Sequence, residues 1–154
     1  KSFTNLKLFE TSPTSKSIAC SSSYIATTFL SSGRILVLPT DISSYDSKNI
    51  PPTIAAHAGQ VSDLSFSPHF PNLLATGGDE CVKLWTIPNG GLKEDISSCS
   101  SEIKGLPNQV HSLMYHPFVG SLMCIGCKNG LVVGDIEQGK SIFSFENTSY
   151  GKDV

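Results

Sequence analysis

The chain has 154 residues, of which 39% are hydrophobic and 16% charged, with 13 Gly and 9 Pro. Lys and Arg number 11 against 13 Asp and Glu, a formal charge of -2 that is too balanced for a strongly electrostatic nucleic-acid binder. Length and apolar fraction suffice for one ordinary domain with a core, and no apolar run approaches the roughly 18 residues that suggest a membrane span.

The opening segment, Lys1 to Glu10, has no signal-peptide h-region and no initiator Met, as expected of a processed chain or a piece of a longer one. Tyr24-Ile25-Ala26-Thr27 and Ile35-Leu36-Val37-Leu38-Pro39 read as short strands. Val61, Leu64 and Phe66 predict another, although their spacing of three and then two breaks strict alternation at its first step. Leu73 to Thr76 is a short buried run, and Cys81 to Ile87 is rich in β-branched and aromatic types. Gly77-Gly78-Asp79, Asn89-Gly90-Gly91, Lys128-Asn129-Gly130 and Gln138-Gly139 supply tight turns, where Gly, Asn and Asp tolerate positive φ. Ile96 to Glu102 is polar and Ser-rich and predicts a flexible loop. Ser141 to Phe145 alternates as a strand. No segment sustains a 3.6-residue apolar period with helix caps, so the fold class is all-β.

An internal repeat organises these elements. Gln60–Gly90 slides by 49 residues, without a gap, onto Gln109–Gly139. Gln60, Val61, Leu64, Pro68, Leu73, Gly77, Ile87 and Gly90 then meet the same residue type, and Phe66 meets Tyr115. The same step backwards places Tyr24–Thr27 under Leu73–Thr76 and Ile35–Pro39 under Leu84–Pro88. Strand, Pro-bearing loop, strand, turn, strand, turn, strand at 40 to 50 residues is the propeller-blade pattern, here in about three units at 1–56, 57–105 and 106–154. A four-stranded blade must stack to bury both faces, and propellers close with 4–8 of them. Three units therefore imply further blades outside the chain, or a partner over the open ends. Those ends are expected to be apolar, making the isolated chain poorly soluble or self-associating.

The second unit resembles a WD repeat, with His57, the strand Val61–Phe66, Pro68, Asp79 in the turn and Trp85. The resemblance implies a buried hydrogen-bonded network of His57, Thr76, Asp79 and Trp85, which would satisfy the indole and imidazole groups. Ala56 replaces the usual Gly before the His, and the turn between Thr76 and Asp79 is one residue short. The third unit lacks the pattern: Leu106, Lys128 and Gly134 stand where His, Asp and Trp are expected. That blade must rely on apolar packing, or a neighbour fills the missing indole volume. The order of motifs is similar to the start of a coronin propeller. A strand ending in Leu36-Val37-Leu38-Pro39 precedes a Pro68-His69 corner and the Trp85-Thr86-Ile87-Pro88 strand end. Tyr115-His116-Pro117 and Gly126-Cys127-Lys128-Asn129 follow. The likeness covers about residues 18–146, with Lys1-Ser2-Phe3 only weakly similar to the family's start, and it fits short and tandem coronins alike. The stretch between that start and the first blade is shortened, so the family's basic actin-contact position does not carry over.

Other letters suggest chemistry. Gly134 to Ser141 spells a P-loop, but the mechanism needs a helix after Gly139-Lys140, and Ser141–Phe145 alternates as a strand. Asp135 and Glu137 would also set negative charge beside a phosphate. Cys124-Ile125-Gly126-Cys127 has metal-type spacing near His111 and His116, yet residues three apart on a strand point to opposite faces. The five cysteines are odd in number and scattered, which suggests reduced thiols in an intracellular compartment. His57, Asp79 and the many serines invite a triad, but no G-x-S-x-G elbow is present. His69 and His116 beside proline read as blade corners. Asn147-Thr148-Ser149 is a glycosylation triplet by letter. No catalytic, cofactor or metal residue is assigned.

The resemblance thus implies a non-enzymatic interaction module, binding actin filaments and other proteins, cytoplasmic and cytoskeleton-associated, or at the Golgi or vesicles if tandem. Neither nucleic acid nor a transmembrane segment is expected. The alternative is a general WD scaffold in membrane trafficking or ubiquitin-ligase assembly. The charged positions Arg34, Lys83 and Lys93 are the candidate partner contacts.

Overall fold

The computed structural model describes residues 16–29, 31–41, 50–79 and 81–146. Lys1-Ser2-Phe3 and the Asn147 triplet lie outside them. Among the described residues there is no helix. Twelve strands form three antiparallel sheets of four, each in simple chain order. The first holds β1 (Ile18–Cys20), β2 (Tyr24–Phe29), β3 (Ser31–Pro39) and β4 (Thr53–Ala55). The second holds β5 (Asp63–Phe66), β6 (Leu73–Gly77), β7 (Val82–Thr86) and β8 (Ser101–Ile103). The third holds β9 (Val110–Tyr115), β10 (Leu122–Cys127), β11 (Gly130–Asp135) and β12 (Lys140–Glu146).

The leading strands lie side by side, β1 against β5 and β5 against β9, so the sheets stack as blades around a common inner edge. Where the connection is a tight turn, as from β1 to β2 and from β10 to β11, it can only join antiparallel neighbours, whereas longer segments lead from β3 to β4 and from β7 to β8. Val61 sits ahead of β5 rather than in it. The broken alternation at Val61–Leu64 is therefore the entry to the strand. Gly77 ends β6 instead of opening the turn, which runs from Gly78 to Cys81 through the Gly78 N–H to Cys81 carbonyl bond of 3.2 Å.

Two apolar layers hold the stack. Between the first and second sheets, Tyr24, Ala26, Ile35 and Ile54 meet Val61, Phe66, Leu74 and Trp85. Between the second and third, Ala75, Val82, Leu84 and Ile103 meet Val110, Leu113, Tyr115 and Met123. Fully burying side chains of these types is worth roughly 1.5–3 kcal/mol each, so stacking sets the order of the sheets. Phe29, Leu36 and Leu38 form a separate buried cluster on the opposite face of the first sheet.

The Ser-rich stretch expected to be a flexible loop is instead built into the sheets. Ile96 bridges in parallel to Ile54 on the outer strand β4, with bonds of 2.8 and 3.0 Å between Ala55, Ile96 and Thr53. Ser100 accepts from the Thr86 N–H and donates to the Thr86 hydroxyl. Ser101–Ile103 is β8. Serine composition misled here because Ile96 and Ile103 anchor the run at both ends, and edge pairing uses backbone that carries no compositional signal.

Candidate functional site

The polar cluster of the second sheet centres on Thr76. Its hydroxyl accepts the Trp85 indole N–H at 3.0 Å and lies 2.9 Å from His57 Nε2. Thr76 and Trp85 face the same layer from neighbouring strands, and both are buried. His57 reaches them from the loop after β4. Its ring lies so close over Gly78 that a side chain there would collide with Nδ1. On its other side Nδ1 faces the Cys81 sulfur at 3.8 Å. Burial, with the Lys83 ammonium second, lowers the imidazole pKa below its ordinary 6.5, so the ring is neutral near pH 7.

Three of the four network residues named from the sequence thus come together. Asp79 stands apart. It is exposed, its carboxylate lies over Gly59, and it acts on His57 through space without a hydrogen bond among the described residues. The turn is one residue short, and Cys81 occupies the position beside Nδ1. Burial, followed by the Glu102 carboxylate, pushes the Cys81 thiol up to about 11, so it stays protonated and is no nucleophile.

A residue the sequence reading passed over joins the second sheet to the third and to the segment ahead of the first. Asp63 is fully buried on β5. One carboxylate oxygen accepts the Leu64 N–H at 2.7 Å, the other the Leu113 N–H of the third sheet at 2.7 Å, and Lys16 stands 3.7 Å away. Burial raises its pKa against the bonds from Leu113 and Lys16. A lone carboxylate in an otherwise apolar strand, at the point where alternation breaks, was the available signal.

Two of the three candidate cations are engaged inside the fold. Arg34 donates to the Thr53 hydroxyl at 2.7 Å and to Asp95 at 3.0 Å, and Asp95 also accepts the Thr53 N–H at 2.7 Å. Lys83 donates to the Ala56 carbonyl at 2.8 Å. Lys93 is exposed, and among the described residues no hydrogen bond or ion pair holds its ammonium.

The remaining letters resolve into structure. The P-loop-like run is the β11–β12 hairpin: Asp135 accepts the N–H groups of Glu137 and Gln138, the amides a phosphate would need, and a strand follows. Cys124 pairs with Met114 and Val133 on the outward face, whereas Cys127 lies in the inner layer. His69 reaches the His116 carbonyl at 3.1 Å, joining the corners of the second and third sheets. In the third sheet the volume missing at Gly134 is filled by its neighbour. A β-carbon there would meet Ile103 Cδ1 of the second sheet at 2.7 Å.

No protein-family model matches the chain. Coronin-2B of Mus musculus is 32% identical over 82 residues, covering 53% of this chain and 17% of that protein. Coronin-7 of Rattus norvegicus is 31% identical over 64 residues, covering 41% of this chain and 7% of that protein. The chain therefore spans under a fifth of the length of these relatives. Among solved structures, the WD40 domain of Toxoplasma gondii coronin superposes with a TM-score of 0.83 at 22% identity, covering 94% of this chain and 38% of that one. A chain of the mitotic checkpoint complex superposes at 0.64 and 15% identity, over 84% of this chain and 38% of that one. The three sheets are coronin-like WD-repeat blades of a β-propeller.

Proposed function

We propose that the chain is a non-catalytic interaction module, part of a propeller that binds actin filaments and regulates the actin cytoskeleton. One observation supports it above the others: the constellations with catalytic lettering are tied into the fold. His57 and Trp85 share the Thr76 hydroxyl, the Cys81 thiol is held protonated, and the Glu137 and Gln138 amides are taken by Asp135. What remains open is surface, namely an exposed Lys93 and the outward face of the third sheet. The coronin likeness supplies the filament as partner and a cytoplasmic, cytoskeleton-associated setting, with Golgi or vesicle association if the protein is tandem. No cofactor enters. Further blades beyond the three units 1–56, 57–105 and 106–154 complete the ring in this reading.

Lys93 leads among the partner contacts, because Arg34 and Lys83 already hold internal acceptors. Co-sedimentation of the full-length protein with filaments tests this. Lys93→Glu is expected to weaken pelleting, with the difference shrinking as salt rises. No pelleting of folded protein at low or moderate salt removes actin. It leaves the second reading, a WD scaffold or adaptor in trafficking or ubiquitin-ligase assembly.

A further inference from the structure

The connection from β7 to β8 is longer than a four-stranded sheet requires. It runs through residues 87–100, whereas residues 136–139 make the same connection in the third sheet. Its added length crosses to the first sheet and lies along the outer edge of β4. There Ile96 bridges Ile54 in parallel: its N–H donates to the Thr53 carbonyl at 3.0 Å, and its carbonyl accepts the Ala55 N–H at 2.8 Å. Asp95 completes the contact with a side chain instead of backbone. One carboxylate oxygen accepts the Thr53 N–H at 2.7 Å, and the other accepts from Arg34 at 3.0 Å. Leu92 and Ile96 pack against the layer between the first and second sheets.

Pro51 and Pro52, just ahead of β4, lack the N–H groups that would lengthen the pairing. The edge is therefore short, and what it accepts is set by few groups. Arg34 and the Thr53 N–H call for a carboxylate, the residue after it supplies the bridge, and a second aliphatic residue sits three positions ahead of the acid. In the strap these are Asp95, Ile96 and Leu92. The polar part of this grip faces solvent: the Asp95 side chain is 59% exposed and that of Arg34 40%. Lys93, Glu94, Ser97 and Ser98 are exposed as well. An ion pair in water contributes little net stability, and a single bridge is the smallest unit of strand pairing. Another extended segment with the same groups can replace the strap contact for contact.

We propose that the β4 edge is a docking site for an extended partner segment of the form aliphatic-x-x-acidic-aliphatic, and that the strap is a resident copy of that motif which the partner displaces. The partner's carboxylate takes Arg34 and the Thr53 N–H, and the residue after it takes the bridge at Ile54. A basic residue in the acid's place would meet the guanidinium and be rejected. Because the strap is tethered, it competes at an effective concentration on the order of millimolar, so the closed edge answers only a partner held nearby or one that first loosens the strap. The inference rests on the sheet edge itself and is independent of actin.

The test is fluorescence anisotropy on the full-length protein with two labelled probes, a synthetic peptide of residues Gly91–Ser98 and the same peptide with Asp95→Lys. Three proteins are compared: wild type, Asp95→Ala, and a variant whose residues 91–98 are replaced by a Gly-Ser run of equal length, which keeps the connection and removes the resident motif. The acidic peptide is expected to bind the Gly-Ser variant saturably and at least about tenfold more tightly than wild type, with Asp95→Ala between them. The Lys peptide should bind none of the three. Adding Arg34→Glu to the Gly-Ser variant should abolish binding of the acidic peptide and admit the Lys peptide. Circular dichroism melts identify the folded proteins. Should the Gly-Ser variant misfold, Asp95→Ala alone, a change at an exposed side chain, must still bind the acidic peptide more tightly than wild type. Equal affinity for wild type and the folded variants, no binding by those variants, or equal affinity for the two peptides overturns the proposal. Loss of filament pelleting with these responses intact sinks only the actin reading.

Discussion

Thr76 carries more than its size suggests. One hydroxyl serves both the indole and the imidazole, so its loss orphans a buried donor that water cannot reach. Thr76→Val, which keeps shape and removes the oxygen, should lower unfolding free energy by about 2–3 kcal/mol, and Thr76→Ser by much less. Urea unfolding read by the single tryptophan, Trp85, measures it. His57 adds a pH dependence of defined sign. Its folded pKa lies below 6.5, so as pH falls through 6.5 the unfolded chain takes up a proton the folded chain resists. The stability that neutral His57 contributes is full above that value and is lost as pH falls towards the folded pKa. The urea midpoint should drop between pH 7.5 and 5.5, and His57→Gln should flatten the slope. A slope unchanged by the substitution would remove His57 as its source.

Among the elements, the segment after β7 does two jobs at once. It leaves the second sheet, reaches back to cap the edge of β4 through Asp95 and Ile96, and returns as β8. An open β4 would offer unpaired backbone to any passing strand. Asp95 holds this strap through the Thr53 N–H first and Arg34 second, and both lower its pKa. Asp95→Ala should leave the core intact and speed hydrogen exchange at the Thr53 amide, with little change at Leu74 or Leu84 in the interior. Protection unchanged at Thr53 would mean that the Ile96 bridge alone holds the edge. The third sheet shows the opposite economy: lacking the Trp, it accepts Ile103 from the second sheet over Gly134. Gly134→Trp, which restores the letter of the repeat, is therefore expected to destabilise the fold, because the space belongs to the neighbour.

At the scale of the molecule, the two ends of the stack differ. Both were expected to be open and apolar. On the first sheet, however, Phe29, Leu36 and Leu38 are buried, whereas the outward face of the third leaves Met114, Leu131, Phe143 and Phe145 at 38–66% exposure. With one apolar face open among the described residues, association of the isolated chain should stop at a face-to-face pair instead of running on as a filament. Light scattering across a dilution series should show a reversible monomer–dimer equilibrium, and Phe143→Lys with Phe145→Lys should leave monomer. Growth beyond dimers would show a second sticky face.

Much of this was legible in the residues alone. The 49-residue step located the sheets because stacked blades repeat their apolar positions, and the step survives in Leu64, Leu73 and Leu84 even where the Trp is lost. The family pattern pointed to His57, Thr76 and Trp85, since a buried donor needs an acceptor and few polar residues lie among these strands. Asp63 was passed over, Asp79 was placed inside a network it only borders, and Arg34 and Lys83, named as partner contacts, hold acceptors inside the fold. Each of these depends on which groups from distant segments meet: the Leu113 amide, the Cys81 sulfur, Asp95 and the Ala56 carbonyl. A repeat encodes the face each side chain presents, because strand alternation is local. The partners across the gap are set only when the sheets stack, and so the tertiary structure alone decided them.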